Sequence, residues 1–257
     1  MKISAEKLYD KLINDDEILS QKGKITFNLG SIDIIVKQKD VVGNIMQEWI
    51  EGYLKYNKIE FAPNDNTQMP PDFFLDPDDK KHNLLEIKAF NHKGSPGFDI
   101  ADFKMYQNEV VEKPWMLDVS YLIFGYDMSD DGVVTIKKVW LKKVWQICRP
   151  MLSGTGKSKI PWPLNLQIKQ GVVHKIRPAK WYGASGRFKT FDNIEDFLAA
   201  VEQTVYQNPD TRPSGAGWKH KMCSSYEKFF GKKLSIPRWD DIEDKYIIIS
   251  DSQSSVS

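Results

Sequence analysis

The sequence predicts an α/β fold, a central mixed β-sheet flanked by helices. Three observations carry this. Apolar runs of strand length alternate along the chain with amphipathic helical patterns. At 257 residues, with 41% hydrophobic side chains, eight Trp and thirteen Phe, the chain can bury a sizeable core. No internal repeat or linker divides it, so residues 1–250 read as one domain, with 251–257 expected to form a disordered tail.

The elements follow in order. Residues 3–19 predict a helix, with Ile3, Leu8, Leu12 and Ile18 near helical spacing. GKITFNLGSIDIIVK, residues 23–37, predicts a hairpin turning at Asn28–Ser31. VVGNIMQEWIEGYLKYN, residues 41–57, is the clearest helix. Its stripe is Ile45, Met46, Trp49, Ile50, Tyr53 and Leu54, with Gln47, Glu48 and Glu51 opposite. After a Pro/Asn-rich loop come two strands, DFFLD at 72–76 and NLLEIKAF at 83–90. NHKGSPGF, residues 91–98, is a loop, and DIADFKMYQNEVVEK a helix. VSYLIFGYDM and VVTIKKVWL are strands joined by SDDG, and KKVWQICRPM is a short helix stopped by Pro150. SGTGKSKIPWP is a loop, and residues 164–178 form a hairpin turning at Gln170–Gly171. Residues 192–207 form a helix capped by Asp192, and RPSGAGWKHK is a basic loop.

The composition excludes several classes. The two cysteines, Cys148 and Cys223, are too few for a disulfide framework, which suits a reducing cytoplasm. The N-terminal residues carry no apolar signal core, and no run approaches the ~20 apolar residues of a membrane helix. The formal net charge of +1 conceals a split. Residues 132–238 hold 20 Lys+Arg against 6 Asp+Glu, and the remainder 16 against 29. A basic segment of this kind suits a polyanion, although a solvated basic face reads the same way.

The chemistry lies in PPDFFLDPDDKKHNLLEIKAFN, residues 70–91. Three charged residues, Asp72, Glu86 and Lys88, interrupt apolar runs, and charge is rarely buried unless paired or bound to metal. Alternate strand residues share a face, so Glu86 and Lys88 point one way while Leu85, Ile87 and Ala89 face the core. If DFFLD pairs with this strand, Asp72 approaches Glu86. Two close carboxylates repel unless a cation lies between them. So few hard oxygen ligands suit Mg²⁺. Lys88 would then lie where an attacking water sits. The plain alternative is a surface ion pair between Glu86 and Lys88. Acid-x-Lys occurs at five places, but only Glu86-Ile87-Lys88 lies inside a strand-like run. Other motifs fail. SGTGKS lacks the first glycine of a phosphate-binding loop, because Met151 stands there. His220-x-x-Cys223 is half a zinc site without a second pair.

Pro71-Asp72, thirteen intervening residues, then Glu86-Ile87-Lys88 resembles the active-site motif of the PD-(D/E)xK nucleases. The order helix, strand, strand, helix, strand over about 41–140 resembles their core, and the size is similar to that of type II restriction endonucleases. WYGASGRFKTF and its basic neighbours resemble enzymes that read GC-rich interrupted palindromes. The resemblance implies a restriction-endonuclease-like fold and Mg²⁺-dependent, sequence-specific hydrolysis of double-stranded DNA. Asp72 and Glu86 match the metal-binding acids, the Ile87 carbonyl a further metal ligand, and Lys88 the catalytic lysine. Glu48 matches the acid of the preceding helix, with Glu51 as rival. A homodimer and a companion DNA methyltransferase are also implied. DNA contacts are expected at Asn91, Lys93, Lys157, Lys159, Arg187, Lys189, Arg212 and Lys219. The motif alone leaves open a structure-specific or repair nuclease, or a non-cleaving DNA-binding protein.

Overall fold

The computed structural model describes residues 1–66, 69–153, 160–182 and 187–248. In chain order the elements are α1 (Ala5–Asp10), β1 (Lys22–Lys24), β2 (Thr26–Leu29), β3 (Ile32–Ile35), α2 (Val41–Tyr56), β4 (Ala62–Pro63), β5 (Phe73–Phe74), β6 (Leu84–Asn91) and β7 (Ala101–Asp102). Then follow α3 (Phe103–Glu112), β8 (Ser120–Met128), β9 (Val133–Lys142), β10 (Met151–Ser153), β11 (Ile160–Trp162), β12 (Leu166–Lys169), β13 (Val172–Ile176), α4 (Ile194–Gln207) and α5 (Trp218–Phe230). The chain divides into two compact units. One comprises Met1–Phe98 and Asp118–Lys143, and the other Asp99–Leu117 with the chain from Val144 onward. The expected core, about 41–140, lies in the first unit apart from 99–117.

The first unit is built on a mixed six-stranded sheet in the order β1-β9-β8-β6-β5-β4. Only the β6–β8 neighbours run parallel. Ser4 caps α1 by accepting from the Lys7 amide, and a π-helical turn, Lys11–Asp15, extends it. One core cluster joins Leu8 and Leu12 of this segment, Val42, Met46, Ile50 and Leu54 of α2, and Leu85, Ile87, Leu122 and Phe124 of the sheet. The buried ridge of α2 therefore steps every four residues, narrower than the stripe expected from the sequence. Trp49, placed in that stripe, is instead 40% exposed.

The second unit holds the three-stranded sheet β12-β13-β7, the β10–β11 ladder and helices α3 to α5. The β12–β13 turn falls at Gln170–Gly171 as expected, both with positive φ, 51° and 79°. That geometry matches the right-handed twist of a hairpin. Trp218 Nε1 donates to the Gln107 carbonyl at 2.7 Å, tying α5 to α3.

Several boundaries differ from the expectations. DFFLD pairs only over Phe73–Phe74. The helix expected from Asp99 begins at Phe103, because Ala101–Asp102 pairs with β13 first and Asp102 then caps α3. The expected SGTGKSKIPWP loop gives its end, Ile160–Trp162, to a ladder with Met151–Ser153. The expected loop RPSGAGWKHK opens helix α5, whose buried residues Trp218 and Met222 stand one turn apart. The expected tail, 251–257, lies outside the described residues. Finally, α4 is capped by Asn193, whose side chain accepts from the Asp196 amide at 2.8 Å, while Asp192 pairs with Lys189. Asn193→Ala is therefore expected to cost about 1 kcal/mol, and Asp192→Ala under about 0.5 kcal/mol, in urea unfolding.

Candidate active site

The site is built where β5 meets β6. Antiparallel pairing sets Phe73 opposite Leu85 and Phe74 opposite Leu84. One step further, the same register sets Asp72 opposite Glu86. Phe73, Leu75, Leu85 and Ile87 enter the core cluster. Side chains alternate across a strand, so Asp72, Glu86 and Lys88 share the other face.

The loop leading in is fixed by Asn64. Its side-chain amide donates to the carbonyls of Met69 and Pro71 at 3.2 and 2.8 Å. Its backbone N–H donates to the Asp72 carbonyl at 3.0 Å. Sequence reasoning passed over Asn64. A lone Asn in a Pro/Asn-rich loop signals a turn and nothing more.

The three side chains of the motif lie together. Asp72 Oδ2 accepts from the Ile87 N–H at 2.7 Å. The N–H and C=O of one strand residue project to the same edge, so the Ile87 carbonyl also turns towards Asp72. Lys88 Nζ lies 2.7 Å from Glu86 Oε1. This is the ion pair of the plain alternative, but it is not on the surface, since Glu86 is only 4% exposed. Glu86 Oε2 is buried with no hydrogen-bond partner among the described residues.

The electrostatics follow from burial. Desolvation pushes the Glu86 carboxyl up to about 7, against the pull of Lys88, with Asp72 adding repulsion. Desolvation also raises Asp72, opposed by the Ile87 N–H and Lys88. Two acids held above their ordinary range, one with an orphaned oxygen, are short of positive charge. An oxygen-seeking divalent cation fits that deficit, with Asp72, Glu86 and the Ile87 carbonyl as donors. No group of three or more Asp, Glu, His or Cys able to hold a metal occurs among the described residues. Neither helix acid therefore completes a metal-holding set with Asp72 and Glu86. Glu48 is exposed on α2, and Glu51 pairs with Lys55 at 2.5 Å.

The residues expected at DNA are distributed along the chain. In the first unit, Asn91 Oδ1 accepts from the Lys93 N–H at the end of β6, and Lys93 Nζ pairs with Asp127 at 2.8 Å. In the second, Arg187 is exposed and Lys189 stands over the Tyr246 ring. Arg212 Nε donates to the Tyr206 carbonyl at 2.8 Å, near the end of α4. Lys219 lies in the first turn of α5. Lys157 and Lys159 lie outside the described residues. No helix among the described residues is long and apolar enough to cross a membrane.

Comparison with known proteins agrees with this geometry. The family model described as NgoBV restriction endonuclease matches residues 2–246. The chain is 56% identical over 247 residues to the type II restriction enzyme NlaIV of Neisseria lactamica, covering 96% of this chain and 98% of that enzyme. It is 49% identical over 185 residues to the type II restriction enzyme NgoBV of Neisseria gonorrhoeae, covering 72% of this chain and 99% of the relative. A solved structure of NlaIV restriction endonuclease matches with a TM-score of 0.90 at 55% identity, over 96% of this chain and 98% of that one. A motif of two acids and a lysine, a mixed sheet that brings them together, and likeness along nearly the whole chain lead to one conclusion: this protein belongs to the NgoBV restriction endonuclease family, among the type II restriction enzymes.

Proposed function

We propose that the β5–β6 site hydrolyses phosphodiesters of double-stranded DNA at a fixed sequence with Mg²⁺ as cofactor. The observation that carries this reading is the juxtaposition of Asp72, Glu86 and Lys88 around a buried, unpartnered carboxylate oxygen. Type II restriction enzymes generally need a divalent metal. Asp72, Glu86 and the Ile87 carbonyl would hold the ion, with a DNA phosphate and waters completing its shell. When bound, the ion supplies the positive charge that offsets the charge developing on the phosphate.

The protein does the rest. Ile87 fixes the Asp72 carboxylate through its N–H. Lys88 pairs with Glu86, opposing the burial that favours its neutral form, and, as a triple donor, orients an attacking water in line with the scissile bond. Glu48, exposed on the polar side of α2, serves as the acid of the preceding helix. Asn91, Lys93, Lys157, Lys159, Arg187, Lys189, Arg212 and Lys219 serve the DNA. Lysines suit phosphates, and Asn91 and the arginines can read base edges. One site per chain cuts one strand, so a two-fold homodimer cuts a palindrome. A companion methyltransferase protects the host DNA, and the enzyme acts in the cytoplasm.

The test is digestion of plasmid by the purified protein. With Mg²⁺ the product should be discrete bands, and EDTA should reduce cutting below detection. A smear, or cutting unaffected by EDTA, sinks the reading.

A further inference from the structure

In the second unit, Arg187 and Lys189 are carried by a short extended segment that a later part of the chain straps down. Residues 246–248 run antiparallel to residues 187–189, with Phe188 opposite Ile247. The Lys189 N–H donates to the Tyr246 carbonyl at 3.0 Å, and the Ile248 N–H to the Arg187 carbonyl at 2.6 Å. Arg149 Nη1 donates to the Phe188 carbonyl at 3.0 Å. Each of residues 187–189 is therefore held through its backbone. Alternate residues of an extended chain share a side, so Arg187 and Lys189 project together, about 7 Å apart by the strand rise. Both are exposed. Lys189 pairs with Asp192 at 3.0 Å, but an exposed pair is weak enough for a phosphate to displace.

The strap is itself pinned at one side chain. Tyr246 is fully buried, and its hydroxyl donates to Asp196 Oδ2 in the first turn of α4. Its ring stands edge-on to Phe191 at 4.9 Å and stacks on Trp239 at 6.2 Å. Burial and the Asp196 carboxylate push the hydroxyl above its ordinary range, so it stays a donor. Asp196 is itself buried, and a buried carboxylate is costly without such partners. Packing needs only the ring. The hydroxyl and the buried acid add a directional bond that fixes where the strap lies against α4.

We propose that Tyr246 is a positioning residue for DNA binding: bonded to Asp196, it sets the strap that presents Arg187 and Lys189 to the duplex. The inference rests on the reading that these two side chains serve the DNA, and adds what holds them. Groups placed before binding lose less freedom when DNA arrives. Contacts made alike in ground and transition states lower KM and leave kcat alone.

Plasmid cutting at varied DNA concentration, with gel shift in EDTA at varied salt, tests this. Tyr246→Phe keeps the ring and loses the bond. Its KM should rise about tenfold with kcat within about twofold of wild type, and the salt slope of its affinity should fall by about one. Asp196→Asn, whose amide oxygen still accepts from the hydroxyl, should keep the wild-type KM. Added to Arg187→Ala with Lys189→Ala, Tyr246→Phe should raise KM by less than about twofold more, because it acts through those two side chains. Hydrogen exchange on the unmodified enzyme gives a second readout. The Lys189 and Ile248 amides should be protected to within about twofold alike with and without plasmid in EDTA, since the strap is set before DNA binds. An unchanged KM in Tyr246→Phe, a full tenfold addition in the triple variant, or protection that appears only with plasmid overturns this inference alone. If Arg187→Ala with Lys189→Ala leaves KM and gel-shift affinity unchanged, the assignment of both side chains to the DNA falls, and this inference with it.

Discussion

Asp72→Ala is expected to slow plasmid cutting by about 10²–10³-fold or more at saturating Mg²⁺. The substitution removes one of the two carboxylates proposed to hold the ion and the acceptor for the Ile87 N–H. Folding should survive, because Asp72 is only half-buried and stands at the mouth of β5. DNA binding without cleavage should survive too, and even tighten, since one negative charge leaves the neighbourhood of the phosphate. Gel shift in EDTA and plasmid cutting in Mg²⁺ measure the two effects on one preparation. Cutting within tenfold of wild type would remove Asp72 from the machinery.

Glu86→Gln separates catalysis from stability. Cutting should fall as far as in Asp72→Ala, because an amide is a poor ligand for a hard cation. Stability of the metal-free protein should move the other way. The Glu86 carboxyl titrates near 7 when folded, against an ordinary 4.5, because burial disfavours its charge. The folded chain therefore binds more protons than the unfolded chain between those values, and stability falls as pH rises through that window. At about 1.4 kcal/mol for each pH unit, the penalty above pH 7 is on the order of 3 kcal/mol. Glutamine keeps the shape and cannot ionise. In EDTA at pH 8 the variant should melt several degrees above wild type, and the two should converge below about pH 4.5. Equal melting temperatures at pH 8 would mean that Glu86 is not held in a charge-poor site. Added Mg²⁺ should raise the melting temperature of wild type more than that of the variant.

The recognition of the site from sequence rested on context. Glu86-Ile87-Lys88 stood out from four similar triplets because it sat within NLLEIKAF, and that run is indeed the buried strand β6. Long, strongly patterned segments were legible for the same reason: α2, β8 and β9 fall within a residue or so of their expected bounds. Helix α5 was not, because Gly217, Lys219, His220 and Lys221 mask a sparse apolar pattern, and Trp218 is buried through a hydrogen bond to a residue 111 positions away. The cap of α4 was misplaced by one residue, since Asp192 and Asn193 are equally good caps and the choice falls to Lys189, which takes Asp192 as its partner. The hairpin at 26–35 was foreseen, but not the exposure of its apolar face.

The sequence by itself determined which residues carry charge inside apolar strands, the alternation that puts Glu86 and Lys88 on one face, and the family to which such a motif points. Local periodicity is written in neighbouring residues, so it survives without a fold. The tertiary structure alone decided that β5 pairs with β6 in the register that sets Asp72 opposite Glu86. It alone decided that Glu86 is buried deeply enough to lose its ordinary acidity. Register and desolvation depend on residues far away in the chain and on how tightly they pack, and neither quantity is recorded in the order of the residues around the site.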